Sequence, residues 1–460
     1  MNTFKKVVGI ALCAALVLGT TGCKEEEQKQ NPAITTSNTL DDDIRNPVDI
    51  DEFVEKSDDN KLENPNLTYF SHYDMRVAGD IKPGVKLFEE TYGGKIEYQQ
   101  VGWGERISKL QTLISTGMSP DLVDREGEFF PYLMSQNLYT DLSDYIDLSE
   151  PQWSGFENLI ESYSWEGKHY YYPFTANALP NILIYDADLF RSLGIDNPLE
   201  LYEKDEWDWN SFKRVMVEFV NNNEEALGGV QGLVSNDIMA STGIPLIGVE
   251  NGKAVNNINS SVIDNAANFL MDLRKEGLTV RGDGMWSNEP MPLATGKVAF
   301  LGVGQWRIST FTALPDRNFE FVPFPRDPSA DKYYYNLFTF GYMVPSGAPN
   351  PEGAAAFINI MRRCQVEPDL RAVVDESIMT EKSYTKEAYD FMVRYEDLDK
   401  YDVVVENYSG FSSELTELID SMLINVAFEE GQGDQMGLGW TQLRATNEGV
   451  INSYLENFLG

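Results

Sequence analysis

Residues 67–124 switch repeatedly between two hydrophobic periods. "NLTYFSHYD" reads as a strand that begins near Leu67. "KPGVKLFEETYGG" reads as a helix, with Pro83 in its first turn and Gly93 at its end. "KIEYQQV" alternates with the period of a strand. "ERISKLQTLISTG" puts Ile107, Leu110, Leu113 and Ile114 on one helical face and stops at Gly117. "SPDLVD" reads as the next strand. Strand, helix, strand, helix, strand points to an α/β fold with parallel pairing, because parallel neighbours need a crossover between them. Further on, "NPEGAAAFINIMRR" offers Asn350 as N-cap, Pro351 at the first helical position and Glu352 in the first turn. No short-period repeat is seen.

The chain has 460 residues, too many for one ordinary core, so two domains are expected. Its formal net charge is −37. A surface this acidic repels phosphate backbones and anionic headgroups, which argues against nucleic acid as a partner. The only histidines are His72 and His169, too few for most zinc sites or nucleophile–base pairs, so no metal or other cofactor is expected. Of Cys13, Cys23 and Cys364, the last has no partner once the N-terminus is accounted for, so there is no disulfide framework. Cys364 follows a helical stretch and is expected to be packed rather than reactive. With 23 Tyr, 24 Phe and 8 Trp, aromatic faces exceed what a core needs, and the surplus often lines a binding cleft.

The N-terminus speaks to location. Lys5 and Lys6 precede an uncharged apolar run, Val7 to Gly19. That run is too short to span a bilayer, which takes ~20 apolar residues, and it reads as a secretory signal. Thr20, Thr21 and Gly22 then lead to Cys23 and at once to "KEEEQKQ". Small residues followed by cysteine resemble the lipobox of bacterial lipoproteins, with Thr20 where leucine is usual. That resemblance implies a signal peptide at 1–22, cleavage before Cys23 and a diacylglyceryl group on its sulfur. The protein is then expected outside the cell, held to the membrane by the lipid alone. Residues 23–64 are polar and acidic and are expected to be a linker.

Five later segments, in order, resemble the extracellular solute-binding proteins of ABC sugar importers, the family of maltose-binding protein. They are "LISTGMSPDLVD", "YYPFTANALPNILIYDADLFRSLGI", "WDWNSFKRV", "PMPLATGKVAFLGVGQW" and "GYMVPSGAPNPEGAAAFINIM". In the second, Tyr185, Asp186, Ala187, Asp188 and Leu189 stand where the family has Tyr-Asn-Lys-Asp-Leu. In the fourth, Leu293 replaces the usual Phe. The resemblance implies a two-lobe periplasmic-binding fold of type II, with lobes joined by crossing strands and ligand held between them. Residues 65–175 with 340–390 would form the N-terminal lobe, and 176–339 with 391–460 the C-terminal lobe. It also implies a carbohydrate ligand, ABC permease subunits as partners, a monomer, and no catalysis.

Sugars present hydroxyls at ring edges and C–H patches on ring faces, so a cleft wants aromatic plates with carboxylates and amides. Trp306, after "GVGQ", falls at the family's sugar-stacking tryptophan. Asp74, ending the first strand, falls at a ligand-binding acid. In "DREGEFF", Arg125 and Glu128 match contact positions, with Glu126 between them. Asn177 matches a polar contact beside the first crossing strand. Trp103 follows a strand and suits a plate or lid. Asp237 and Ser241, in "NDIMASTG", are further candidates. Trp440 is expected to pack the last helix.

Other classes are weighed against this one. A glycoside-acting enzyme would need two carboxylates, and Glu126 with Glu128 offers a pair. The same family could take a polyamine or a peptide. A calcium-dependent adhesin is unsupported, since "DLDKYDVVVE" has Tyr401 in place of the next acid and no glycine. "GVGQWR" fails as a dinucleotide loop at Arg307.

Overall fold

The computed structural model describes residues 50–54, 61–125, 129–177, 181–250, 253–282, 292–312, 314, 317–382, 389, 401–429, 431 and 433–456. Its strands are β1 (Leu67–Ser71), β2 (Ile96–Gln100), β3 (Leu122–Asp124), β4 (Tyr172–Asn177), β5 (Asn181–Asp186), β6 (Gly228–Gly232) and β7 (Ile247–Glu250). They continue with β8 (Lys253–Asn256), β9 (Thr279–Val280), β10 (Val298–Gly304), β11 (Phe319–Val322), β12 (Tyr333–Asn336), β13 (Phe338–Met343) and β14 (Tyr401–Val404). Two five-stranded sheets result, in the orders β2-β1-β3-β13-β4 and β11-β5-β10-β6-β9. The hairpin β7-β8 and the pair β12-β14 stand apart from them.

The first sheet follows the sequence pattern closely. β1 pairs in parallel with both β2 and β3. The helix Lys82–Tyr92 crosses from β1 to β2, with Pro83 in its first turn. It stops at Gly93, which takes φ +74° and returns its N–H to the Glu89 carbonyl, a geometry glycine adopts without strain. The helix Arg106–Ser115 crosses from β2 to β3. Asp121 then ties β3 back to β1 by accepting from the Thr68 N–H at 2.8 Å and the Thr68 hydroxyl at 2.9 Å. β13 joins β3 antiparallel, and β4 joins β13 antiparallel, so β4 runs in the same direction as the first three strands.

Both faces of that sheet are covered. One face packs Tyr69, Leu87, Phe88, Trp153, Phe174 and Tyr342 against the helix Pro351–Val366. Asn350 caps that helix, accepting from the Gly353 N–H at 2.9 Å. Cys364 is buried in it, and burial pushes its thiol up to about 12, so it is a packed side chain. The other face packs Phe70, Leu110, Phe129, Leu133 and Tyr171. The folded body also reaches back into the stretch read as linker: Ile50 is fully buried in the first core, with Phe53, Val54 and Leu62 packed on it.

The second sheet has its own core around Tyr185, Trp207, Phe212, Phe300 and Leu301. The "WDWNS" stretch starts the helix Trp209–Asn222, with Asp208 and Ser211 exchanging capping hydrogen bonds. Trp207 is fully buried and donates its indole N–H to the Pro323 carbonyl at 2.8 Å. Trp440 is also packed, with its N–H on Asp264 at 2.9 Å. Two stretches of chain run between the sheets: β4 into β5, and β11 through β12 into β13.

Trp207→Ala removes a large side chain from the second core and orphans the Pro323 carbonyl, so stability should drop by ~3–5 kcal/mol. Urea unfolding followed by circular dichroism reads this. A loss below ~1 kcal/mol would mean that Trp207 does not anchor the core.

Candidate functional site

Parallel strands end together, so the loops after β1, β2 and β3 gather at one edge of the first sheet. Trp103 opens a short turn, Trp103–Glu105, that runs directly into the helix Arg106–Ser115. Its indole is 64% exposed, the most exposed large apolar side chain described. It is nevertheless held in place. The buried Arg106 stacks its guanidinium carbon 3.3 Å from the indole centroid. The His72 ring meets the indole at 4.6 Å and 89°. Trp103 is thus an aromatic plate braced from behind and along an edge.

Beneath the plate, His72 Nδ1 lies 3.8 Å from Asp124 Oδ2. Burial, with help from the Arg106 charge, lowers the His72 pKa to about 4. Burial raises the Asp124 carboxyl to about 6, against opposing pulls from a Ser71 hydrogen bond, its own backbone and Arg106. Near neutral pH the cluster therefore holds a neutral imidazole, a carboxylate and a guanidinium.

Asp74 stands at the same edge but is already engaged. Its carboxylate accepts from the Arg76 backbone N–H at 3.0 Å, Nε at 2.8 Å and Nη2 at 2.7 Å, capping the turn Met75–Val77. Arg125 reaches toward the crossing strands. Its Nη1 donates to the Thr339 carbonyl at 3.0 Å, and its guanidinium lies 5.1 and 5.2 Å from the Phe129 and Phe338 rings. Phe338 opens β13, pairs in register with Asn177 and is 43% exposed. Glu126 and Glu128 lie outside the described residues, as do the side chains of Asn177 and Trp306.

At the second sheet, Asn181 starts β5 opposite Gly304, the last residue of β10. The turn Gln305–Arg307, which carries Trp306, follows directly. After β6 the chain turns into the helix Ser235–Ala240, which carries Asp237. Asn181 Nδ2 donates to both Asp237 oxygens, at 3.0 and 3.3 Å. Burial raises Asp237 to about 7, while hydrogen bonds from Asn181 and Asn336 lower it. Trp306, Asp237 and Asn181 thus share one edge. Ser241 is not brought there. It is buried, accepting from Trp209 Nε1 at 3.0 Å and donating to the Ile238 carbonyl at 2.8 Å.

The profile of the bacterial extracellular solute-binding proteins matches residues 76–363, more than half of the chain. The chain belongs to this family. Solved structures agree on the fold. An ABC substrate-binding protein from Listeria monocytogenes, in complex with cycloalternan, aligns with TM-score 0.63 and 17% identity, covering 85% of this chain and 99% of that one. The GacH receptor of Streptomyces glaucescens, solved unliganded and with acarbose, aligns at 0.62 and 18%, with the same coverage. UgpB of Mycobacterium tuberculosis, in complex with glycerophosphocholine, aligns at 0.62 and 12%, covering 85% and 98%. A search of curated protein sequences gave no match. The solute-binding fold is thus the two-lobe one, each sheet forming the heart of a lobe. Among the described residues, no helix is long and apolar enough to cross a membrane.

Four participants in these edges escaped the sequence reading: His72, Arg106, Asp124 and Phe338. Arg106 follows Trp103 by three residues at a helix start, so the spacing of the braced plate was visible. Asp124 ends an apolar strand just as Asp74 follows one.

The cluster makes a pH prediction. The folded pKa of His72 lies below its ordinary 6.5, so its contribution to stability falls as pH drops from about 6.5 to about 4. Asp124 has a folded pKa above its ordinary 3.8, so its contribution falls as pH climbs from about 4 to about 6. Asp124→Asn should therefore raise the melting temperature at pH 7 and change it little at pH 4. Equal shifts at both pH values would show that the Asp124 charge is not destabilising.

Proposed function

We propose that this solute-binding protein captures a neutral carbohydrate, an oligosaccharide above all, between its lobes and delivers it to an ABC importer. The observation that carries this reading is the Trp103 plate, solvent-exposed yet braced by Arg106 and His72. A rigid exposed indole suits the C–H face of a pyranose, because it supplies large apolar area at little rotamer cost. Phe338 adds a second exposed ring at the crossing strands. The cycloalternan and acarbose complexes of structurally similar proteins support the same ligand class.

Charge argues for a neutral solute over a polyamine. The acids described at the two edges offer a cation little: Asp74 is paired with Arg76, and Asp124 and Asp237 are buried, with burial raising their carboxyls to about 6 and about 7. The negative charge of the whole chain is therefore not focused on these edges. The reading also assigns ligand contacts to Trp306, Arg125, Glu126, Glu128 and Asn177, on the strength of the family resemblance. Lobe boundaries near 175, 340 and 390 make β4–β5 and β12–β13 two of three crossings, the third falling near residue 390 among residues outside those described. Lipidation of Cys23 would hold the protein at the membrane, and the abrupt charged tail after that cysteine supports it.

A thermal-shift screen against mono- and oligosaccharides tests the ligand class, since ligand at 100 times its dissociation constant stabilises by ~2.7 kcal/mol. Trp103→Ala and Trp306→Ala should each keep nearly the wild-type melting temperature and lose most binding of the sugar that the screen finds. A shift with spermidine and with no sugar would overturn the assignment. So would release of product from an oligosaccharide, which would favour the glycoside-acting enzyme.

Cys23→Ser should release the protein into the medium or leave it unprocessed. A variant that stays anchored and correctly cut would refute lipidation at that residue.

A further inference from the structure

Two connections and one contact join the halves of the fold, and all three converge on the first residues of the helix Ser235–Ala240. The first is β4 into β5, where Asn181 gives its amide to both Asp237 oxygens. The second is β12 into β13. Asn336, two residues before Phe338, donates to the Asn236 carbonyl at 3.4 Å, beside Asp237. The third is a contact, not a connection. The turn Tyr408–Gly410 lies so close to Phe130 that a side-chain carbon on Gly410 would run into the Phe130 carbonyl. Tyr408 accepts from Asn236 Nδ2 at 3.0 Å and donates to Asp420 at 2.7 Å.

Asp237 occupies an expensive position. It is buried, and its hydrogen-bond partners are amides rather than a cation. A buried carboxylate without a countercharge costs several kcal/mol, so its hydrogen bonds must fix something that matters. What they fix is the root of one crossing strand, at Asn181, while the adjacent Asn236 carbonyl takes the root of the other, at Asn336. Both carboxylate oxygens are already taken by Asn181, which leaves a ligand hydroxyl little to bind.

We infer that Asp237 and its neighbour Asn236 position the hinge: the Asp237 carboxylate holds the root of one crossing strand at Asn181, and the Asn236 carbonyl holds the root of the other at Asn336, both to the helix Ser235–Ala240. Asn236 extends the clamp to Tyr408 and so to the Phe130 contact. Bending of these two crossing strands is then confined to the stretches beyond their roots, and the two strands bend together. This rests on the closure reading above.

The test uses ligand-free full-length protein. Nitroxides on Glu90→Cys, at the end of the first crossover helix, and Lys275→Cys, at the end of the helix Ser261–Lys275, report the distance between lobes. Pulsed electron resonance should show one narrow distribution with Asp237 intact. Asp237→Asn puts an amide donor where Asn181 needs an acceptor and should broaden the distribution, adding distances that the parent lacks. Asn336→Ala releases one root only and should broaden it less, which keeps the test available if Asp237→Asn does not fold. Trp207→Ala destabilises the second core away from the clamp and should leave the width unchanged. An unchanged width in both clamp variants would overturn the proposal, and lost sugar binding at unchanged width would make Asp237 a ligand contact instead. A parent protein that never contracts on any sugar would count against capture by closure, yet the ligand-free comparison would still decide the clamp.

Discussion

A sheet with parallel strands at its centre must bury both faces, because the crossover helices lie on them. Much of this molecule follows from that. Tyr69 and Phe70 are neighbours on β1, point to opposite faces, and each ends in a different packed layer. Once the first sheet is sealed on both sides, the second cannot share its core and must build its own around Trp207 and Phe300. The chain can then pass between them only at sheet edges, in extended segments. A hinge is the natural outcome of two sealed cores joined by strands.

The same constraint places the groups proposed to face the ligand. Crossover helices leave from the C-terminal ends of parallel strands, so loops at those ends are the free surface of the sheet. His72, Trp103 and Asp124 come from three different strands and meet because those strands run the same way. Each lobe contributes such an edge, and Arg125 and Asn181 lie where the crossing strands bring these edges close.

Much of this was legible in the sequence, and unevenly so. Local patterns read well: Pro83 and Gly93 bounded a helix, Asn350 capped another, and the run from Leu67 to Asp124 gave three parallel strands in order. Those features depend on neighbours within a turn or two. The linker reading runs through residue 64, because polar composition hides the buried Ile50 among charges. The Asn181–Asp237–Asn336 group was illegible for a different reason. Its members are common polar residues, far apart along the chain, and only the fold brings them together. His72 was likewise counted but not placed, since nothing local to it points to Arg106.

The burial of Ile50 in the first core has a mechanical side. Whatever pulls on the chain upstream of residue 50 pulls on the lobe built around Tyr69 and Phe88, and not on the other. For a protein held by its N-terminus, that lobe is the mount and the lobe around Trp207 is the free jaw. Thermal motion would then be felt mostly by the jaw, and the recoil of each closure would pass through Ile50, Phe53 and Val54 into whatever holds the leash. In a chain held upstream, Ile50 would move the point of attachment seventeen residues ahead of β1, onto the core of the same lobe.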